Sequence, residues 1–260
     1  MCETCGCNTT DTAPVVTPER TAEMRVLAGL LDENDRQAAH NRDHFDAHGT
    51  LAIDLMSSPG AGKTALLEAT IEALAGELRI AVIEGDLETE RDAERIRAKG
   101  VPAVQIVTGG ACHLDAGMVH GALHHLALDG IDLLFIENVG NLVCPARFDL
   151  GQHRKVVLLS VPEGDDKPAK YPTMFRVADL VLLSKADLLP LLDDFAPARA
   201  EAAVRTLGSE APVLPVTARG AGAALEPWLA WLRAEVTHQR QRCAEQRARG
   251  MAPPTHHTHG

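Results

Sequence analysis

The sequence is poor in aromatic residues and in positive charge. Phe, Trp and Tyr make up 3% of its 260 residues, and the formal net charge is -11. A protein that binds nucleic acid needs a basic face for the phosphates and often aromatic rings on which bases stack. We therefore expect no nucleic-acid partner and a core built mainly from aliphatic side chains.

Long apolar runs are also missing. No stretch approaches the roughly 20 apolar residues that a membrane helix needs. The residues that follow Met1 do not show the basic and then apolar pattern of a secretory signal. We therefore expect no membrane association and a cytoplasmic location, where closely spaced cysteines indicate metal sites or redox pairs rather than disulfides.

From residue 51 onward, short apolar segments alternate with helical patterns. The predicted strands are 51–56, 79–84, 104–107, 131–137, 156–160, 180–184 and 213–216. The predicted helices are 18–47, 65–75, 89–99, 114–128 and one that begins near 222 and continues past 235. This alternation predicts an α/β fold with a mostly parallel β-sheet flanked by helices.

The segment Ser57–Thr64 reads Ser-Ser-Pro-Gly-Ala-Gly-Lys-Thr and connects a predicted strand to a predicted helix. In this context the motif predicts a phosphate-binding loop, whose backbone N–H groups surround the phosphates. Lys63 would contact the β and γ phosphates, and the Thr64 hydroxyl would bind Mg²⁺. The nucleotide-binding residues predicted here are Ser58, Pro59, Gly60, Ala61, Gly62, Lys63, Thr64 and Ala65.

Two carboxylates follow other predicted strands. Asp86 and Glu137 would lie at the carboxyl edge of the sheet, where ligands of such folds bind. There they could hold Mg²⁺ or its water ligands, or position the attacking water. Gly140 follows Glu137 closely and could donate its N–H group to the γ-phosphate, which would order this loop before hydrolysis and release it afterwards.

The segment Ser184–Asp187 resembles the guanine-reading Asn-Lys-x-Asp motif of GTPases. The Asp187 carboxylate would accept hydrogen bonds from two guanine N–H groups that adenine does not offer, so GTP is the expected nucleotide. The Lys185 stem would pack on the base, and the loop containing Ala218 would meet guanine O6. Ser184 is shorter than the usual Asn, so we expect it to brace the phosphate loop less well.

Three cysteines at the N-terminus form the second strong pattern. Cys2, Cys5 and Cys7 can surround one cation, with the terminal amine as a further donor. Four ligands in a tetrahedron suit Zn²⁺, whereas a flat set of three sulfurs and one nitrogen suits Ni²⁺ or Cu²⁺. A redox Cys-x-x-Cys pair is the alternative, but such pairs usually begin a helix rather than lie on a polar arm.

A second group of metal ligands is predicted within the domain. Cys112 and His113 follow the third strand, and Cys144 follows Gly140 by four residues. Both loops leave the same edge of the sheet, so these side chains can meet and bind a soft or borderline metal ion. The alternative is that the cysteines are buried for structural reasons. If they bind metal, movement of the Gly140 loop could change the metal geometry.

Together these residues resemble the nickel-insertion GTPases of [NiFe]-hydrogenase maturation, the HypB family. The similar stretches are Met1–Cys7, Ser57–Thr64, Cys112–Asp115, Glu137–Pro145, Glu163–Pro168 and Lys170–Pro172. The urease GTPases are related, but they have Cys-Pro-His where this chain has Cys144-Pro145-Ala146, and they lack the cysteine arm. The chain departs from HypB at Ser184 and lacks a histidine run after the arm.

The resemblance implies that GTP hydrolysis is coupled to nickel delivery into the hydrogenase large subunit. It implies a HypA-type nickel/zinc partner and a nucleotide- or metal-dependent homodimer. It assigns tight nickel binding to Cys2, Cys5 and Cys7. It places a weaker nickel or zinc site at Cys112, His113 and Cys144, near the dimer interface.

These inferences divide the chain into three parts. We predict a flexible nickel-binding arm over 1–16, a P-loop GTPase domain with an N-terminal helix over 17–245, and a disordered histidine-containing tail over 246–260. We expect slow intrinsic turnover, because no Gln or Arg stands out as an activator. Two alternatives stay open: a metal store or sensor with weak nucleotide turnover, and a chaperone GTPase or ATPase for another metal cofactor.

The remaining histidines and one cysteine are predicted to have no special role. The histidines at 40, 44 and 48 share one helix face, and those at 120, 124 and 125 lie on a later helix. Both sets favour solvent-facing surfaces, and Cys243 lies in a polar C-terminal helix.

Overall fold

The computed structural model describes residues 18–86, 91–220 and 224–250. Its strands are β1 (Leu51–Ser57), β2 (Ile80–Asp86), β3 (Ala103–Val107), β4 (Leu133–Glu137), β5 (Arg154–Ser160), β6 (Leu180–Ser184) and β7 (Val213–Val216). They form one sheet in the order β3-β2-β4-β1-β5-β6-β7, and every neighbouring pair is parallel. The predicted α/β fold is confirmed.

Helices connect these strands. They are α1 (Pro18–His48), α2 (Lys63–Ala73), α3 (Arg91–Arg97), α4 (Ala116–Leu123), α5 (Lys167–Lys170), α6 (Pro172–Arg176), α7 (Pro197–Thr206) and α8 (Glu226–Ala248). Short 3-10 helices span Pro145–Arg147, Val161–Glu163 and Ala186–Leu191.

Helix α4 is much shorter than the predicted 114–128. The Asp115 side chain accepts a hydrogen bond from Met118 N and so caps the helix at its start. Beyond Leu123 the chain continues in turns and reaches Gly130, whose φ of 78° lies in the left-handed region that glycine favours. The apolar pattern continues through these turns because Leu126 and Leu128 are buried without being helical.

Alternate residues of each strand face opposite sides of the sheet. Ile53 and Leu55 of β1 pack in a cluster with α2 and α8, whereas Ala52 packs in a cluster with Phe45 of α1. A third cluster joins β5 and β6 to α6 and α7. Burial on both faces explains the continuous apolar runs of the strands.

The chain separates into two units, Met1–Glu33 and Asn34–Gly260. The sheet lies in the second unit. No helix within the described ranges is long and apolar enough to cross a membrane. The cysteine arm with Cys2, Cys5 and Cys7 and residues 251–260 of the predicted tail lie outside the described residues. The tail was predicted to be disordered from residue 246, but α8 continues to Ala248.

Candidate functional site

A cavity of about 640 Å³ opens at the carboxyl edge of the sheet. Its lining includes thirteen of the predicted site residues: Pro59, Gly60, Ala61, Gly62, Lys63, Thr64, Ala65, Asp86, Glu137, Gly140, Lys185, Asp187 and Ala218. Ser58, which is half-buried, does not contribute to the lining. The sheet therefore gathers the predicted phosphate, metal and base contacts into one space.

The phosphate loop has the backbone that its glycines allow. Gly60 and Gly62 have φ values of 75° and 100°, in the left-handed region. Lys63 is buried, and its Nζ donates to Ser57 Oγ at 3.0 Å. The ammonium group is thereby held inside the loop, where it can contact phosphate oxygens.

The predicted γ-phosphate-sensing loop lies directly against the phosphate loop. A Cβ atom at Gly140 would come within 2.9 Å of Pro59 Cα, closer than atoms in proteins pack. Only glycine therefore fits here without a backbone shift. Because the two loops are in contact, a backbone shift in one loop displaces the other.

Thr64 contacts a pair of buried acidic residues through one of them. Its hydroxyl donates to Glu137 Oε1 at 2.9 Å, and Glu137 pairs in register with Glu84 on the neighbouring strand. Burial raises the pKa of Glu137 to about 7, and burial together with the charge of Glu137 raises the pKa of Glu84 to about 8. Asp86 lines the same cavity and is half-buried.

This group fits a divalent cation. The Oε2 atoms of Glu84 and Glu137 are both buried without a hydrogen-bond partner. Such buried oxygens are costly unless a cation or water satisfies them, and oxygen donors are those that Mg²⁺ prefers. The sequence interpretation missed Glu84, although an acidic residue inside an apolar strand was a visible signal.

The predicted base-reading loop is bonded to the phosphate loop. Ser184 Oγ donates to Ala61 O at 2.7 Å, and Lys185 Nζ donates to Gly60 O at 2.9 Å. The shorter Ser184 side chain therefore does reach the phosphate loop, because its strand brings it close enough. Asp187 is exposed at the cavity, where its carboxylate is available to a ligand.

The three predicted inner metal ligands come together. The Sγ atoms of Cys112 and Cys144 are 3.0 Å apart, and Cys112 Sγ lies 3.8 Å from His113 Nδ1. One ligand atom from each residue lies within 4.8 Å of the others. Burial lowers the pKa of His113, which favours the neutral imidazole that binds metals.

The two thiols influence each other. Their hydrogen bond, together with burial, raises the pKa of Cys144 above its ordinary value. A thiol pair of this kind loses its protons readily only when a cation replaces them. Cys243, for which no special role is predicted, is buried, with 3% of its surface exposed.

Asn138 links the two ligand-bearing loops. Its Oδ1 accepts from the backbone N–H groups of Leu114, next to His113, and Val139, next to Gly140, at 3.1 and 3.0 Å. Its Nδ2 donates to the fully buried Asp54 at 3.1 Å. Sequence patterns did not single out this residue, because a buried amide is recognised only from its partners.

Comparison with known families gives one match over most of the chain. The nucleotide-binding domain described as CobW/HypB/UreG matches residues 51–215. The hydrogenase maturation factor HypB of Azotobacter vinelandii is 54% identical over 227 residues, which are 87% of this chain and 72% of that protein. HypB of Escherichia coli K12 is 48% identical over 232 residues, or 89% and 77% of the two chains.

Two solved structures share the fold and much of the sequence. HypB from Helicobacter pylori in complex with nickel has a TM-score of 0.69 and 40% identity, and the match covers 86% of this chain and 99% of that one. HypB from Archaeoglobus fulgidus has a TM-score of 0.73 and 39% identity over 79% and 100% of the two chains.

Proposed function

Because this chain belongs to the HypB hydrogenase maturation factors of the CobW/HypB/UreG nucleotide-binding family, we propose that it hydrolyses GTP and uses the nucleotide state to control nickel delivery. The proposal rests on one continuous segment, from Glu137 to Cys144, that reaches both the phosphate loop and the second cysteine, Cys112. Glu137 contacts the phosphate loop through Thr64, and Cys144 of the same loop meets Cys112. The nucleotide site and the cysteine site thus share one segment of the chain.

In the proposed reaction, water attacks the γ-phosphate of GTP, the bond from the γ-phosphorus to the bridging oxygen breaks, and GDP and phosphate are released. Lys63 and the N–H groups of the phosphate loop stabilise the charge that develops on the phosphate oxygens. Mg²⁺, held by Thr64 and Asp86 with Glu84 and Glu137 nearby, would supply further neutralisation of that charge. Glu137, whose pKa is raised to about 7, can orient the attacking water or accept its proton.

The metal that is moved is the cargo of this reaction. We propose that Cys112, His113 and Cys144 bind Ni²⁺ reversibly, with Zn²⁺ as the alternative cargo at this inner site. A mixed sulfur and nitrogen donor set suits borderline metals of this kind. The three thiols Cys2, Cys5 and Cys7 form the proposed tight nickel site of the arm.

The relatives are hydrogenase maturation factors, which suggests the partners. We propose that the chain receives or shares nickel with a HypA-type nickel/zinc protein and delivers it to the large subunit of a [NiFe]-hydrogenase. We further propose a homodimer that forms in response to nucleotide or metal. We propose slow intrinsic turnover, accelerated by these contacts, because the described lining of the cavity contains no glutamine and its Arg95 is already bonded to Glu68 and Asp92.

The basic test is nucleotide turnover by the purified chain with GTP or ATP, followed as phosphate release. We expect GTP turnover that is lost in Lys63→Ala and retained in Lys99→Ala, whose side chain pairs with Glu72 on the surface. Equal use of ATP would contradict guanine selectivity. Normal nickel binding without turnover in the wild type would instead support a metal store or sensor.

A further inference from the structure

Two sets of histidines that are far apart in sequence meet between α1 and α4. The ring of His40 lies 5.2 Å from that of His120, and the ring of His120 lies 4.9 Å from that of His124, measured between centroids. We call these three residues the histidine cluster. From this geometry we propose that the histidine cluster binds a borderline divalent cation of the Ni²⁺ and Zn²⁺ class, separately from the cysteine site.

The rings form T-shaped contacts, and their spacing also matches that of two imidazoles bound to one ion. With metal–nitrogen bonds of about 2.0–2.1 Å, two imidazoles on one ion place their ring centroids roughly 4.5–5.3 Å apart. Both measured separations fall within this range. His120 lies in α4 and His124 is the residue that caps its C-terminal end with helical backbone angles, so the four-residue spacing puts both rings on the same face.

The backbone that presents the rings is firmly held. Asn41, next to His40 and fully buried, donates from Nδ2 to Ala116 O at the start of α4. Ala116 N in turn donates to Asn34 Oδ1 at 2.9 Å. These buried bonds fix α1 against the first turn of α4, so the meeting of the two histidine sets follows from the core packing.

Metal binding requires the rings of the histidine cluster to rotate so that one nitrogen of each reaches the ion. Among the described residues, the cysteine set is the one whose ligand atoms already lie within 4.8 Å of one another. The rings of His40 and His124 are exposed, so rotation about their side-chain bonds can direct a nitrogen from each toward His120. The resulting donor set contains nitrogen only and holds a borderline ion less tightly than thiolates do.

The test uses the full chain with five serines in place of cysteines: Cys2→Ser, Cys5→Ser, Cys7→Ser, Cys112→Ser and Cys144→Ser. NiSO₄ or ZnCl₂ is titrated calorimetrically into this background and into three further variants of it. His120→Gln and His40→Gln each remove one cluster ligand from a different helix. His125→Gln removes an exposed neighbouring histidine that the cluster does not include, and serves as the matched control.

We expect one site in the background, weakened at least about tenfold by His120→Gln and by His40→Gln and unchanged by His125→Gln. X-ray absorption should show imidazole nitrogen as the dominant ligand. The proposal is overturned if both cluster variants bind as the background does. It is also overturned if His125→Gln weakens binding equally, or if only substitution of the tail residues His256, His257 and His259 removes the site. None of these results bears on GTP turnover, which stays separately measurable.

Discussion

Under the proposed function, a single side chain, that of Asp187, decides which base the cavity accepts. Asp187 lines the cavity beside Lys185 and is exposed to a ligand. In Asp187→Asn one acceptor for the guanine N–H pair becomes a donor, so we expect GTP affinity to fall by roughly 100-fold or more while ATP binding stays weak. Asp193→Asn, an exposed acid farther along the chain, is the control.

Fluorescent-nucleotide titration measures this effect directly. Retention of wild-type GTP affinity in Asp187→Asn would remove the base-reading role from this residue.

The hydrogen bond from Ser184 to Ala61 O shows that this position still connects the base-reading loop to the phosphate loop, although its side chain is short.

The buried carboxyl group of Glu84 predicts how the stability of the protein depends on pH. The pKa of Glu84 is about 8 in the folded protein, against an ordinary value of 4.5. Between these two pH values the folded state holds a proton that the unfolded chain releases. The free energy of unfolding therefore falls as the pH rises through this interval and is not recovered above pH 8.

Glu84→Gln removes the contribution of Glu84 to this dependence, while that of Glu137 stays. In the absence of nucleotide and Mg²⁺, we expect its Tm advantage over the wild type to grow from pH 5 to pH 8.5, reaching about 3 °C or more. Glu94→Gln, an exposed substitution on α3, should leave the pH dependence unchanged. A constant difference between Glu84→Gln and wild type at every pH would show that Glu84 does not hold the proton.

At the scale of elements, the loops that follow β3 and β4 carry the metal ligands, and Asn138 joins them. Its Oδ1 receives N–H groups from both loops, at Leu114 and Val139. In Asn138→Ala these loops lose their common anchor. We expect GTP turnover within a few-fold of wild type, but a clearly smaller difference in nickel affinity between the GDP and GTP-analogue states.

Loss of a buried amide also lowers stability, so a matched variant is needed. Gln239→Ala removes a buried amide that bonds Asp46 and Thr50 instead. It should lower Tm without reducing the nucleotide dependence of nickel affinity. An Asn138→Ala protein that keeps the full wild-type dependence would show that the loops are coupled by another route.

For the whole molecule, much of the fold follows from local patterns. The strand Leu180–Ser184 and the strand Val213–Val216 have the predicted bounds, because β-branched and leucine runs between polar turns leave little ambiguity. Cys112 and Cys144 were expected to meet because parallel strands end at one edge, and the structure brings them together. Sequence periodicity was less successful where buried turns continue an apolar pattern, as after Leu123.

Features that depend on packing between distant elements were not predictable in this way. Asp54 and Glu84 are buried acidic residues of strands. Their roles are recognised only from their partners on the neighbouring strand and its loop, which are Asn138 for Asp54 and Glu137 for Glu84. The histidine sets of α1 and α4 were each interpreted as solvent-facing, since nothing local shows that His40 meets His120. Such contacts arise only when the helices dock.

The central claim is that nucleotide state changes metal binding at the inner cysteine site. The most direct measurement is chelator competition for Ni²⁺ by the Cys2→Ser/Cys5→Ser/Cys7→Ser chain, bound to GDP or to a non-hydrolysable GTP analogue. Cys112→Ser in the same background separates the inner site from other ligands. We predict affinities that differ by about tenfold between the two nucleotide states. The account is contradicted if the Ni²⁺ affinity is the same in the GDP and GTP-analogue states and Cys112→Ser lowers it to the same extent in both.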